Sequence, residues 1–137
     1  MVEEPTEKRG PTVLVVDDND QTRDAIAHIL EQAGYRVAVA PNAGNAAGLI
    51  ADLLPDLVIT DIFMPEGDGF EMISAIRRHS WAIPVIAISG SHRASGTDYL
   101  KLAASFGAAA ILCKPLGRAE LLAAVTQALS HRDRSLL

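Results

Sequence analysis

A chain of 137 residues accommodates one domain with a single full-sized core, and 49% hydrophobic against 21% charged residues is an ordinary globular balance. Aromatic residues make up only 4%, so that core has to be aliphatic. The net charge of −5 argues against non-specific nucleic-acid binding, which needs a basic surface. The one cysteine, Cys113, excludes an internal disulfide and a cysteine zinc cluster and suits a reducing compartment.

The segment Met1 to Gly10 is polar and charged, without the apolar stretch of a signal peptide, and no later segment is long and apolar enough to span a bilayer. The expectation is a soluble cytoplasmic protein with a disordered tail over residues 1–10, one domain over 11–132 and a short tail over 133–137. The last periodic segment ends close to the C-terminus, which leaves no room for an output domain and favours a stand-alone protein over an excised piece.

In chain order, Val13 to Val16 is a short apolar run that ends in Asp17 and Asp18. Asp20 is the expected cap of a helix whose buried stripe is Ile26, Ile29, Leu30 and Ala33, with Gly34 as its stop. The run Val37 to Ala40 follows, then a helix on Ala46, Leu49, Ile50 and Leu53, ended by Pro55. Leu57 to Thr60 leads into Asp61. A third helix, best capped by Asp68, uses Phe70, Ile73 and Ile76. Val85 to Ile88 leads into Ser89 and Gly90. A fourth helix uses Tyr99, Leu102, Ala103 and Phe106, stopped by Gly107. Ala109 to Leu112 leads to Lys114 and Pro115, and a last helix uses Leu121, Leu122, Val125 and Leu129.

Short continuous apolar runs suit strands buried on both faces. Alternated with helical segments, they predict an α/β fold with a parallel sheet and right-handed crossovers. In open parallel sheets, ligands bind outside the carboxyl ends of the strands. Those ends carry Asp17 and Asp18, Asp61, Ser89, and Lys114.

Clustered carboxylates stay ionised at little cost only when a cation joins them, and an all-oxygen set favours Mg²⁺ or Mn²⁺. A carboxylate can attack phosphorus and become an aspartyl phosphate. The transferring group needs charge stabilisation on its oxygens, which a divalent ion, the Lys114 ammonium and the Ser89 hydroxyl would supply. Taken singly, each residue has a plainer reading: Asp17 or Asp18 as a helix cap, Ser89-Gly90 as a turn, Lys114-Pro115 as a loop. The weight lies in their falling in order at successive strand ends.

Four segments resemble the receiver domains of bacterial response regulators: VLVVDDND (Val13 to Asp20), DIFMPEGDGF (Asp61 to Phe70), VIAISG (Val85 to Gly90) and ILCKPL (Ile111 to Leu116). The resemblance covers Pro11 to His131, and the four motifs in order are highly specific. It implies a flavodoxin-like (βα)5 doubly wound sheet of strand order 2-1-3-4-5. It implies Asp61 as phosphoacceptor, with Lys114 and Ser89 contacting the phosphoryl group. Asp17, Asp18, Asp61 and the backbone carbonyl of Phe63 are the implied ligands of Mg²⁺, for which Mn²⁺ would substitute. The Lys114–Pro115 bond is often cis in the family. The implied partners are a sensor histidine kinase or histidine phosphotransfer protein, and a downstream protein on the face of the fourth helix, fifth strand and fifth helix. No direct nucleic-acid or membrane partner and no turnover activity are implied.

Ile111 departs from the family pattern, which has Tyr or Phe there as a rotating switch; a β-branched aliphatic has few rotamers and no hydroxyl. Signalling is therefore expected to depend more on the loop after Ser89 and on the fourth helix. Phe63 and Ser91 occupy positions that tune hydrolysis in the family, and bulky, apolar Phe63 predicts slow self-dephosphorylation. His28 is expected at the surface, and His79, His92 and His131 lack metal spacing. Cys113 is expected as a small packing residue, Trp81 lies at the far end from the acidic cluster, and Leu100 is expected to be exposed.

Three other readings fit the residues less well. A haloacid-dehalogenase-type phosphatase would need an Asp-x-Asp motif that Asp17 to Asp20 does not form, and leaves Asp61 unexplained. A calcium loop starting at Asp18 lacks the central glycine and has Ile29 where a glutamate is required. A pseudo-receiver that only binds partners is argued against by the complete residue set.

Overall fold

The computed structural model describes residues 10–61, 69–79, 82–89 and 107–135. Five strands, β1 (Thr12–Val16), β2 (Arg36–Ala40), β3 (Leu57–Asp61), β4 (Val85–Ser89) and β5 (Ala110–Cys113), form one sheet of order β2-β1-β3-β4-β5. Every pairing is parallel. The helices are α1 (Asp20–Gln32), α2 (Ala43–Leu53), α3 (Gly69–His79) and, after β5, α4 (Arg118–Ser135). The expected helix on Tyr99 to Phe106 lies outside the described residues, as do Phe63, Asp68, Trp81, Ser91, His92 and Leu100.

The expected α/β architecture and strand order are those found. Side chains alternate along each strand, so each of the three central strands feeds two cores. Val13, Val15, Ile59 and Ile86 pack under α1 and α4 against Ile26, Leu30, Leu121 and Val125. Leu14, Val16, Val58 and Val85 pack under α2 and α3 against Ile50, Ile73 and Ile76. This double burial explains the apolar runs: β3 and β4 are buried throughout.

The edge strands differ from expectation. Only Ala40 of β2 is buried and Val39 is 42% exposed, because an edge strand has a neighbour on one side only. Leu53, expected on the buried stripe of α2, is also exposed, at the last residue of the helix.

Helix boundaries follow local chemistry. Asn19, not Asp20, caps α1: its backbone is extended and its Oδ1 accepts from the Thr22 N–H at 2.8 Å. Asp20 is instead the first helical residue, where a negative charge favours the helix dipole. Gly34 stops α1 with φ of 101°, a conformation that glycine adopts at no steric cost. Asn42 caps α2 in the same way, accepting from the Asn45 N–H at 2.9 Å.

The core assignment has a direct check. Ile59→Ala, at a fully buried position of β3, should cost about 2–5 kcal/mol in urea unfolding. Val39→Thr on the exposed edge should change stability by no more than about 0.5 kcal/mol.

Candidate functional site

Among the described residues, the buried polar side chains are Asp17, Thr60, Asp61 and Ser89. All four lie at the carboxyl ends of β1, β3 and β4, while β3 and β4 start at the opposite edge with the aliphatic Leu57 and Val85. Register brings them together. Val16 pairs with Thr60, so Asp17 and Asp61 leave the sheet side by side. Asp61 pairs with Ile88 and Ser89 with Cys113, which puts Lys114 one residue beyond the same edge.

Asp17 is held by three hydrogen bonds and an ion pair. Its N–H donates to the Ala40 carbonyl at 3.2 Å, and its carbonyl accepts from the Arg23 guanidinium at 2.9 Å. Its Oδ1 accepts from the Asn19 N–H at 2.8 Å, and its Oδ2 lies 3.0 Å from the Lys114 ammonium. Lys114 also donates to Asp61 Oδ2 at 2.9 Å. Its own backbone N–H donates to the Ser89 carbonyl at 3.0 Å, and the Lys114–Pro115 bond is cis, as the resemblance implied. The contact of Lys114 with Asp17 is an ion pair rather than a well-aligned hydrogen bond, since among the described residues Asp17 Oδ2 has no partner of hydrogen-bonding geometry.

Asp18 is exposed, yet Asp17, Asp18 and Asp61 each offer a carboxylate oxygen within 4.8 Å of the others. The described atoms therefore bring together three carboxylates and one ammonium, a surplus of negative charge. Burial by itself lowers the Lys114 pKa, but its bonds to Asp61 and Asp17 outweigh that, and the ammonium is held above its ordinary value. A further hard cation fits the donor set: the ligands are all oxygen, and the exposed Asp18 leaves one side open to water and phosphate.

Beside Lys114, α1 and the residues after β5 enclose a groove of about 420 Å³ lined by Thr22, Ala25, Ile26, Ile29, Pro115 and Leu116. Cys113, expected as a packing residue, is exposed, because β5 is an edge strand and ends there. His28 is exposed, as expected. The Phe63 carbonyl lies outside the described residues.

The sequence and the fold both have counterparts among known proteins. The sequence matches the response regulator receiver domain over residues 13–126. The chain belongs to the response-regulator receiver family. This receiver is 38% identical over 117 residues to an uncharacterised 14.6 kDa protein of Leptolyngbya boryana, covering 84% of this chain and 87% of that one. It is 34% identical to the phosphate regulon transcriptional regulatory protein PhoB of Pseudomonas aeruginosa over 83% of this chain, but it spans only about half (49%) of PhoB. The crystal structure of a CheY-like receiver domain protein from Methanospirillum hungatei superposes with a TM-score of 0.84 at 25% identity, covering 92% of this chain and 98% of that one.

Arg23 escaped the sequence reading. Its signal was the i, i+3 spacing from Asp20, which by itself reads as a surface ion pair; only the fold turns its other nitrogen onto Asp17.

Removing the ammonium has a predictable cost. In chelator, Lys114→Met should destabilise the receiver by about 3 kcal/mol, because two buried carboxylates lose their cation; millimolar Mg²⁺ should restore part of the loss. The folded pKa of Lys114 is raised, so its stabilisation is complete below the unfolded value of about 10.4 and disappears as pH rises through the folded one. The gap between wild type and variant in urea unfolding should therefore narrow above that pH.

Proposed function

We propose that Asp61 accepts a phosphoryl group from a phosphohistidine on a sensor kinase or histidine phosphotransfer protein, in a Mg²⁺-dependent reaction, and that the modified receiver presents a changed surface to a downstream protein. The observation that carries this reading is the convergence of Asp17, Asp18 and Asp61 within 4.8 Å, with Lys114 bonded to the acceptor. Receiver domains are generally not turnover enzymes, and the chemistry proposed is one transfer followed by slow hydrolysis.

In the transfer, a carboxylate oxygen of Asp61 forms a bond to phosphorus while the bond from phosphorus to the donor imidazole nitrogen breaks. Asp17, Asp18 and Asp61, with the Phe63 carbonyl, would hold Mg²⁺, which supplies positive charge to a phosphoryl oxygen. Lys114, 2.9 Å from Asp61 Oδ2, supplies a second cation to the same group. Ser89, buried at the end of β4, is the hydroxyl assigned to a third oxygen. The apolar groove beside Lys114 offers the donor protein a footing next to the acceptor.

The phosphoryl charge draws Lys114 and Ser89 toward it. That biases a two-state equilibrium by the difference in stabilisation of its states. The remodelled face is assigned to the segment on Tyr99 to Phe106, β5 and α4. Two curated relatives named as DNA-binding regulators, NtrC and RpaA, are matched over only 25% and 51% of their length, and DNA binding is not carried over to this chain. Ile111 is only half-buried on β5 and cannot act through an aromatic rotation, so the loop after Ser89 carries more of the change. No helix among the described residues is long and apolar enough to cross a membrane, and a cytoplasmic site of action, alongside the kinase's phosphohistidine, completes the reading.

Incubation with Mg²⁺ and acetyl phosphate should add one phosphoryl group by intact mass, absent in Asp61→Asn and in chelator. An adduct that survives Asp61→Asn, or none under any condition, would reject Asp61 as the acceptor. Phe63→Asn, which introduces a group able to orient water, should shorten the adduct's lifetime relative to wild type.

A further inference from the structure

We propose that Arg23 is a positioning residue for cation binding: it clamps both ends of the turn that carries Asp18, and so sets where that carboxylate stands. The inference rests on the reading that the three aspartates hold Mg²⁺.

Asp18 is the one member of the cluster that its own side chain does not anchor. It is exposed, and its carboxylate takes no hydrogen bond from any described residue. Its neighbours, by contrast, are fixed. Asp17 is held at its N–H, its carbonyl and its carboxylate. Asn19 is held as the helix cap. The position of the Asp18 carboxylate is therefore inherited from the backbone on either side.

Arg23 spans that backbone. One nitrogen of its guanidinium donates to the Asp17 carbonyl at 2.9 Å, before Asp18. The other meets Asp20 Oδ1 at 2.6 Å, after it. The planar fork of arginine makes such a bridge rigid, which a lysine cannot do.

A surface ion pair does not account for this geometry. The Asp20 side chain is 80% exposed, and pairs of that kind contribute little to stability. The Arg23 side chain is only 14% exposed, and its Nε is buried with no partner among the described residues. Burying a donor unsatisfied costs free energy, and the bond that this burial permits is the one to the Asp17 carbonyl. Asp20 also neutralises the guanidinium, which would otherwise repel a cation at the cluster. Mg²⁺ demands near-ideal octahedral geometry, so a loosened ligand turn should weaken it.

The sign of one measurement separates a clamp from a mere charge. Deleting a positive charge near an acidic cluster should by Coulomb's law tighten Mg²⁺; deleting a clamp should weaken it. Mg²⁺ binding to the full chain, measured by isothermal titration calorimetry, should weaken roughly tenfold in Arg23→Ala and less in Arg23→Lys. Asp20→Asn should weaken it too, and the double variant Asp20→Asn/Arg23→Ala should be no worse than Arg23→Ala alone, since both changes open the same bridge. Unchanged or tighter binding in Arg23→Ala, or additive effects in the double variant, would overturn the clamp. If Arg23→Ala does not fold, Arg23→Lys and Asp20→Asn decide in its place, and wild-type affinity in both counts against it. Failure of the underlying reading looks different: wild type would bind no Mg²⁺, or Asp18→Asn and Asp61→Asn would bind it as wild type does.

Discussion

Two carboxylates, Asp17 and Asp61, are buried at the carboxyl edge of the sheet, within reach of a single ammonium. Buried charge has to be paired, and this pairing ties β1, β3 and the segment after β5 into one unit. Lys114 is 53 residues from Asp61 in sequence, and only a sheet that places β4 between β3 and β5 can deliver it. The balance is incomplete, because Asp18 adds a third negative charge at the open side. The described groups thus leave a surplus of negative charge, which the proposed Mg²⁺ would offset, and a phosphoryl group would bring further negative charge against Lys114.

The aliphatic sheet makes that arrangement precise in space. β3 and β4 are buried along their whole length, so their large aliphatic side chains cannot shift without disturbing one of two cores. Asp61 and Ser89 end the packed strands, whereas Asp17, Asp18 and Lys114 stand just beyond strand ends. The turn after β1 shows the difference: it is organised by the Asn19 cap, the Asp17 carboxylate and the Arg23 bridge. A rigid floor with bonded turns above it lets carboxylates stand close together without the repulsion spreading into the fold.

Legibility in the sequence varied with the range of the interactions involved. The central strands were legible because double burial leaves continuous apolar runs, as at Leu57 to Thr60. The edge strands were overread for the same reason: β2 and β5 have apolar runs as well, and nothing local tells Val39 or Cys113 that no neighbour lies beyond. Asn19 and Asp20 are both good cap residues, and the choice between them is made by a single hydrogen bond to Thr22. Arg23 was invisible because its i, i+3 partner gave it a sufficient surface role.

By itself the sequence determined which residues carry charge and chemistry, and in what order they follow the strands, because apolar runs and helical stripes are local patterns set by burial. It thereby determined the fold class, and through the order of Asp17, Asp18, Asp61, Ser89 and Lys114 it pointed to the chemistry. Tertiary structure alone decided which of these groups touch. The register of β1 against β3 puts Asp17 beside Asp61, and the position of β5 at the sheet edge directs Lys114 onto both. Contacts across such separations depend on how strands pair, and pairing is a property of the assembled sheet that no stretch of the chain encodes alone.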